Sequence, residues 1–284
     1  MFAAVAHFGE PERSVGLPGI GAVRLILSIE ISQRMPTPSS YGEAMTAEPL
    51  DQGIVVDPRE LIRARQMRDD LSKFLSQYRF GMREIETKML ILREDFENDH
   101  AYNPIENVET RLKSVDSIVD KVTRRGIEPD LESVRRHILD IAGVRVTCSF
   151  VTDAYRMFNQ LRMQDDVQVR EIKDYIANPK ANGYKSLHAI VDVPVFLSTG
   201  KIRVPVEVQF RTIAMDFWAS LEHKTYYKYD KQVPARILES LRDAAITASE
   251  LDERMERIHR EIHGSDSSPV RPLSLVEDDE PRLA

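Results

Sequence analysis

Asp140 and Glu207 are the two carboxylates of this sequence best placed to do chemistry together. Glu207 lies in Lys201 to Arg211, KIRVPVEVQFR, where Ile202, Val204, Val206, Val208 and Phe210 are set against Lys201, Arg203, Glu207, Gln209 and Arg211. Side chains of a strand alternate between faces with period two, so one face is core and the other is chemically dressed. Tyr184 to Pro194 sets Leu187, Ala189, Val191 and Val193 against Tyr184, His188 and Asp192, and Gly143 to Phe150 sets Val144, Val146, Cys148 and Phe150 against Arg145, Thr147 and Ser149. With their apolar faces on helices, three such strands form a floor holding Arg145, His188, Glu207 and Gln209, with Asp140 at its edge. Two acids from separate elements meeting there can hold Mg2+, and either can take a proton from an attacking hydroxyl. Alone, each is more often a surface or ion-pair residue; charges of both signs on one sheet face favour a nucleotide and metal site.

The elements that must position these groups follow from periodicity and caps. Asp57-Pro58 opens a helical run with Leu61, Ile62, Met67, Leu71, Phe74, Leu75, Tyr78 and Phe80, and Met82 to Asn98 continues it as a hairpin or one long broken helix. Ser114 caps a helix from Val115 to Arg125 that stops at Gly126. Pro129 to Asp140 and Val151 to Met163 are predicted helices, Gln168 to Ile176 a further strand, and Asn182-Gly183 a tight turn. Phe196 to Gly200 joins the Tyr184 and Lys201 strands as a hairpin, followed by helices over Thr212 to Tyr227 and Ala235 to Ile262.

The predicted organisation is a disordered extension over 1–55, with a short apolar element at Ile20 to Ile31, then one domain over 56–264 and a disordered acidic tail over 265–284. Within the domain, a core over 105–230 is flanked by helices over 57–98 and 235–263. The fold class is α+β.

A net charge of −7 argues against a general nucleic-acid coat. Local clustering is another matter: Arg111, Lys113, Lys121, Arg124 and Arg125 stand against only Asp116 and Asp120, which makes a phosphate-binding edge plausible beside the commoner reading of a solvated face. The single cysteine, Cys148, falls on an apolar strand face and reads as core. No apolar run approaches the roughly 20 residues of a membrane span, and the N-terminus lacks the basic residues of a secretory signal, so the cytoplasm is the default location.

RLKSVDSIVDK, DIAGVRV, KDYIANPKANGYKSLH and VEVQFRTIAMDFWASLEHK, in this order and spacing, resemble the small alarmone synthetases, stand-alone members of the RelA/SpoT synthetase-domain family. The resemblance covers about Glu109 to Lys228. It implies a nucleotidyltransferase-like mixed sheet of about five strands, and transfer of the β,γ-pyrophosphoryl group of ATP to the 3′-hydroxyl of GTP or GDP, with Mg2+ as cofactor. Residue by residue, Asp140 resembles the Mg2+ ligand, and Glu207 the acid that helps hold Mg2+ and activates the hydroxyl. Arg111 and Arg145 resemble the pair that sandwiches adenine, and Lys113, Ser117, Lys121 and Arg124 the ATP phosphate contacts. Tyr184 resembles the guanine platform, and Lys180, His188 and Gln209 the lining of the acceptor pocket. Asp216, where some members carry Asn, can accept hydrogen bonds from guanine, and Glu222 is a secondary acceptor-site candidate. Homo-oligomers, tetramers among them, with regulation by alarmone or RNA, are further implications. The His-Asp pair of the family's hydrolase domain does not occur, so alarmone degradation is not expected. A non-catalytic nucleotide or RNA binder of the same fold is the alternative, and another nucleotidyltransferase a third.

Overall fold

The computed structural model describes residues 57–99, 102–229 and 233–263. The predicted N-terminal extension, its apolar element and the acidic tail lie outside the described residues. Contacts divide the chain into two units, one running to Lys73 and the other from Phe74 onward. In the first, the described residues form the opening turns of helix α1 (Pro58–Asp99), with Leu61, Ile62 and Met67 exposed.

The helix is continuous over 42 residues, neither a hairpin nor a broken rod. It holds no proline after Pro58, and Gly81, where a hairpin would turn, serves close packing: a Cβ there would lie 2.7 Å from Cγ1 of Val204. In the second unit α1 buries Phe74, Tyr78, Met82, Ile85, Met89 and Phe96, spaced on one helical face. Burying each such side chain contributes about 1.5–3 kcal/mol.

The second unit is built on a mixed sheet of five strands: β1 (Ile105–Leu112), β2 (Ala142–Cys148), β3 (Gln168–Asp174), β4 (Leu187–Leu197) and β5 (Gly200–Thr212), in the order β1-β2-β5-β4-β3. Only β2 and β5 are parallel neighbours. Helices α2 (Val115–Arg125), α3 (Leu131–His137), α4 (Val151–Arg162), α5 (Ile213–Lys228) and α6 (Ala235–His263) complete the order. The α+β expectation holds. The apolar face, including Val144, Val146, Val191, Val204, Val206, Val208 and Phe210, is buried, with α4 placing Phe158 edge-on to Phe210 at 6.1 Å. Among the described residues no helix is long and apolar enough to cross a membrane.

Three further elements differ from the sequence reading. β1 is an additional strand, on the sheet edge. α3 ends at His137 because Ile138 leaves helical geometry at φ −109°, ψ 88°, so Asp140 sits in the turn before β2 rather than in a helix. β4 begins at Leu187, leaving Tyr184 in the preceding turn, where Gly183 adopts φ +90° and comes so close to α6 that a Cβ would lie 2.5 Å from Cβ of Ala245.

Behind β2, Asp153 is 1% exposed, with Tyr102 Oη donating to Oδ1 at 2.6 Å and the Phe150 amide to Oδ2 at 3.2 Å. Burial pushes its carboxyl from 3.8 up to about 6, against the lowering effect of both hydrogen bonds. Between about pH 4 and 6 the folded state therefore binds more protons than the unfolded one, and stability falls as pH rises through that window, by about 3 kcal/mol. Urea unfolding from pH 4 to 7 should show this loss relative to Asp153→Asn; parallel pH profiles for the two proteins would remove Asp153 as its source.

Candidate active site

The polar face of the sheet carries the site in lateral rows. Antiparallel β1 sets Glu109 opposite Arg145 and Arg111 opposite Gly143. Parallel β5 sets Gln209 beside Arg145 and Glu207 beside Gly143, and β4 sets His188 beside Gln209. Directly paired residues share a face, so Glu109, Arg145, Gln209 and His188 form one row, with Arg111, Gly143 and Glu207 in the next. Gly143 leaves that second row without a side chain between Arg111 and Glu207.

Asp140 reaches this floor from the turn before β2. Its Oδ2 accepts from Lys113 Nζ at 2.8 Å and Lys121 Nζ at 2.7 Å, while its Oδ1 is buried without a partner. Lys113 is placed by its backbone, which bonds the Ile141 carbonyl at 2.8 Å, and Lys121 by α2, which Ser114 caps and Gly126 ends in the left-handed region at φ 62°. Burial alone would raise the Asp140 carboxyl, but hydrogen bonds and charge from the two lysines outweigh it and hold the group below the usual range. Glu207 behaves likewise: burial raises it, yet bonds from His188 and Gln209 bring it net lower, while the Asp140 charge works in the opposite direction.

Glu207 is gripped at both oxygens, Oε1 by His188 Nδ1 at 3.0 Å and Oε2 by Gln209 Nε2 at 2.9 Å. His188 Nε2 lies 2.8 Å from Tyr184 Oη, and Arg211 Nη2 donates to that same hydroxyl at 2.7 Å and to Gln209 Oε1 at 3.1 Å. An ionised Glu207 can only accept, so the hydrogen on His188 Nδ1 is donated to it.

The residues predicted for the acceptor side also converge. Lys180 Nζ lies 4.6 Å from the ring centre of Tyr184 and 4.5 Å from that of Tyr175. Tyr175 meets His188 edge-on at 5.3 Å. Glu222 Oε1 accepts from Asn182 Nδ2 at 2.9 Å, so it supports the turn before Tyr184 and bonds neither carboxylate. Asp216 Oδ1 accepts from Arg211 Nη1 at 3.0 Å and forms an ion pair with Arg145 Nη1 at 3.1 Å; Arg145 also pairs with Glu109.

Of the predicted donor-side residues, Ser117 bonds the capping Ser114 side chain at 2.8 Å, and Arg124 is exposed on the last turn of α2. Arg111 is exposed on the edge strand, on the same face as Arg145. Sequence reasoning did not single out Tyr175 or Arg211. Tyr175 sits inside the KDYIANPK block and Arg211 on the dressed face of β5, but their value lies in contacts across strands that local patterning does not carry.

A family profile described as “Region found in RelA / SpoT proteins” matches residues 110–232. The chain is 44% identical over 194 residues to the GTP pyrophosphokinase YwaC of Bacillus subtilis strain 168, covering 68% of this chain and 92% of YwaC. The chain belongs to the RelA/SpoT family. Within that family its likeness is to small alarmone synthetases. The crystal structure of small alarmone synthetase 2 from Bacillus subtilis matches with a TM-score of 0.62 and 44% identity, covering 68% of this chain and 99% of the other. Small alarmone synthetase 1 from Bacillus subtilis, bound to its product pppGpp, matches with a TM-score of 0.64 and 36% identity, covering 68% and 98%.

Proposed function

We propose that this chain is a Mg2+-dependent GTP/GDP pyrophosphokinase that makes guanosine pentaphosphate or tetraphosphate and AMP. The observation that carries this reading is one sheet face on which Asp140, held by a lysine pair, and Glu207, held by His188 and Gln209, feel each other's charge, with Arg111 and Arg145 on the same face and Tyr184 bonded to His188. Arg111 and Arg145, diagonal neighbours on one sheet face, offer planar guanidiniums to an adenine ring. Lys113, Lys121, Ser117 and Arg124 line the route along α2 for the triphosphate. Tyr184 offers its ring to guanine, with Lys180 at its face.

The residues fit Mg2+. Asp140 Oδ1 is a buried acceptor without a partner, and the charges of Asp140 and Glu207 oppose one another. Among the described residues no group of three or more His, Cys, Asp or Glu side chains could hold a metal, which suits an ion that takes one or two carboxylates and completes its shell with phosphate oxygens and water. When bound, Mg2+ would neutralise charge building on the transferring phosphates. Glu207, ionised and held by two donors, receives the proton of the 3′-hydroxyl as its oxygen attacks the β-phosphorus. The bond from that phosphorus to the oxygen bridging the α-phosphate breaks, and AMP leaves with that oxygen.

The test is incubation of the protein with Mg2+, γ-labelled ATP and either GTP or GDP. Label in guanosine pentaphosphate or tetraphosphate with release of AMP supports the reading. Binding of both nucleotides without product supports a non-catalytic binder, and released pyrophosphate points to a nucleotidyl transferase. Tyr184→Ala is expected to raise the acceptor KM about 10-fold, the loss of roughly 1–3 kcal/mol of base stacking, with the KM for ATP little changed; an unchanged acceptor KM would place guanine elsewhere.

Self-association, with a tetramer as the expected form, is supported by Leu238, Ile246, Leu251, Met255, Ile258 and Ile262, large apolar residues exposed on α6; light scattering after size exclusion reads the mass. A cytoplasmic location accords with a lone buried cysteine and no described membrane-crossing helix.

A further inference from the structure

Arg211 ends the dressed row of β5 and is 7% exposed. A guanidinium so buried must find partners in a plane. Nη2 donates to Tyr184 Oη and Gln209 Oε1, Nη1 donates to Asp216 Oδ1, and the guanidinium carbon lies 5.2 Å from the centre of the Tyr184 ring. These bonds close a loop, since Tyr184 meets His188, His188 meets Glu207, and Gln209 joins Glu207 back to Arg211. One donor fork therefore sets both the tyrosine hydroxyl and the Gln209 amide.

The ion pairing of Arg211 differs from that of Arg145. Among the described residues Arg211 pairs with one carboxylate, Asp216, through Oδ1, and the same oxygen takes Arg145 at 3.1 Å. Arg145 has a second carboxylate, Glu109, across the β1–β2 pair. A ligand that draws Arg145 off Asp216 would leave that oxygen to Arg211 alone, the same guanidinium that donates to Tyr184.

We propose that Arg211 is a positioning residue that holds the Tyr184 platform and, through Asp216 shared with Arg145, makes acceptor and donor nucleotides strengthen one another's binding; this rests on the reading in which Tyr184 receives guanine and Arg145 adenine. Lysine cannot replace it, because one ammonium does not reproduce the planar fork that spans Tyr184, Gln209 and Asp216.

Calorimetry of a non-hydrolysable ATP analogue, alone and with saturating GDP, measures the coupling in wild type, Arg211→Gln and Arg211→Lys. GDP should tighten the analogue about 5-fold or more in the wild type, the lower end of ordinary coupling between sites, and by less than about 2-fold in both variants. The analogue alone should bind within about 2-fold of wild type while the acceptor KM rises about 10-fold, a loss of roughly 1.4 kcal/mol. A merely structural role would lower melting temperature and weaken both nucleotides in parallel with the coupling factor intact, which overturns the proposal, as does a wild type without coupling. Should the Arg211 variants not fold, Asp216→Asn and Tyr184→Phe cut the same links from the other ends. Asp216→Asn must lose the coupling and Tyr184→Phe must raise the acceptor KM, and failure of either overturns it. If Tyr184→Ala leaves the acceptor KM unchanged, the site reading itself has failed; if that substitution acts but Arg211→Gln keeps full coupling, only the role of Arg211 has.

Discussion

Glu207→Gln is expected to lower kcat about 10³-fold, within the 10²–10⁴ range of general acid–base catalysis, while an ATP analogue binds with nearly wild-type affinity. The substitution keeps the shape of the side chain and removes its charge and its capacity to take a proton. It also puts an amide NH2 where an acceptor is needed. His188 Nδ1 and Gln209 Nε2 approach opposite oxygens of Glu207, and one of them would then face another donor. The lost donor contact falls on the proposed acceptor side, so an ATP analogue held, as proposed, by the arginine pair and the lysines should be largely spared. Single-turnover rates at saturating substrate, paired with calorimetry of the analogue, separate the two effects. Synthesis retained within about 10-fold of wild type would remove Glu207 from the proton-accepting role.

The parts of this site that were legible in the sequence are those carried by interior strands. β2, β4 and β5 bury most of one face, so their alternation is strong, and with those faces packed on one side it assigns Arg145, His188, Glu207 and Gln209 to a common face. β1 escaped notice because its sequence carries no two-residue apolar period: Ile105 is its only fully buried residue, and Glu106, Asn107, Glu109, Thr110 and Arg111 are exposed. The Ser114 cap and Gly126 stop were readable because caps are local chemistry. The role of Gly81 was not readable, since a glycine at a possible turn and a glycine at a close approach to Val204 look alike until the partner strand is present. The loop of hydrogen bonds through Arg211 was out of reach, because it joins residues from two strands and the turn before β4, and nothing in local spacing marks a guanidinium that will be shared among them.

Asp140→Asn should be the other severe lesion, and it acts on a different quantity. In the wild type two ammonium groups share Asp140 Oδ2, each with less than a fifth of its side chain exposed, at 18% for Lys113 and 15% for Lys121. Hydrogen bonds and charge from the two lysines, outweighing burial, hold the carboxyl below the usual carboxylate range. Replacing it by an amide leaves two partly buried cations facing a neutral group, and an Nδ2 that points at either lysine or takes the place of the unpartnered Oδ1. The proposed Mg2+ site loses one of its two charges. We expect kcat/KM to fall about 10³-fold, equivalent to roughly 4 kcal/mol, and the Mg2+-dependent rise in melting temperature in the presence of an ATP analogue to disappear. GDP binding at Tyr184, which depends on neither lysine, should persist. The melting readout separates two roles that activity alone would merge: an Asp140→Asn protein that is inactive but keeps its Mg2+-dependent shift would make Asp140 an anchor for Lys113 and Lys121 and place the metal on Glu207 alone. Loss of the shift together with unchanged GDP affinity makes Asp140 the metal ligand, and the lysines, no longer needed to balance its charge when the ion is bound, become available to the triphosphate.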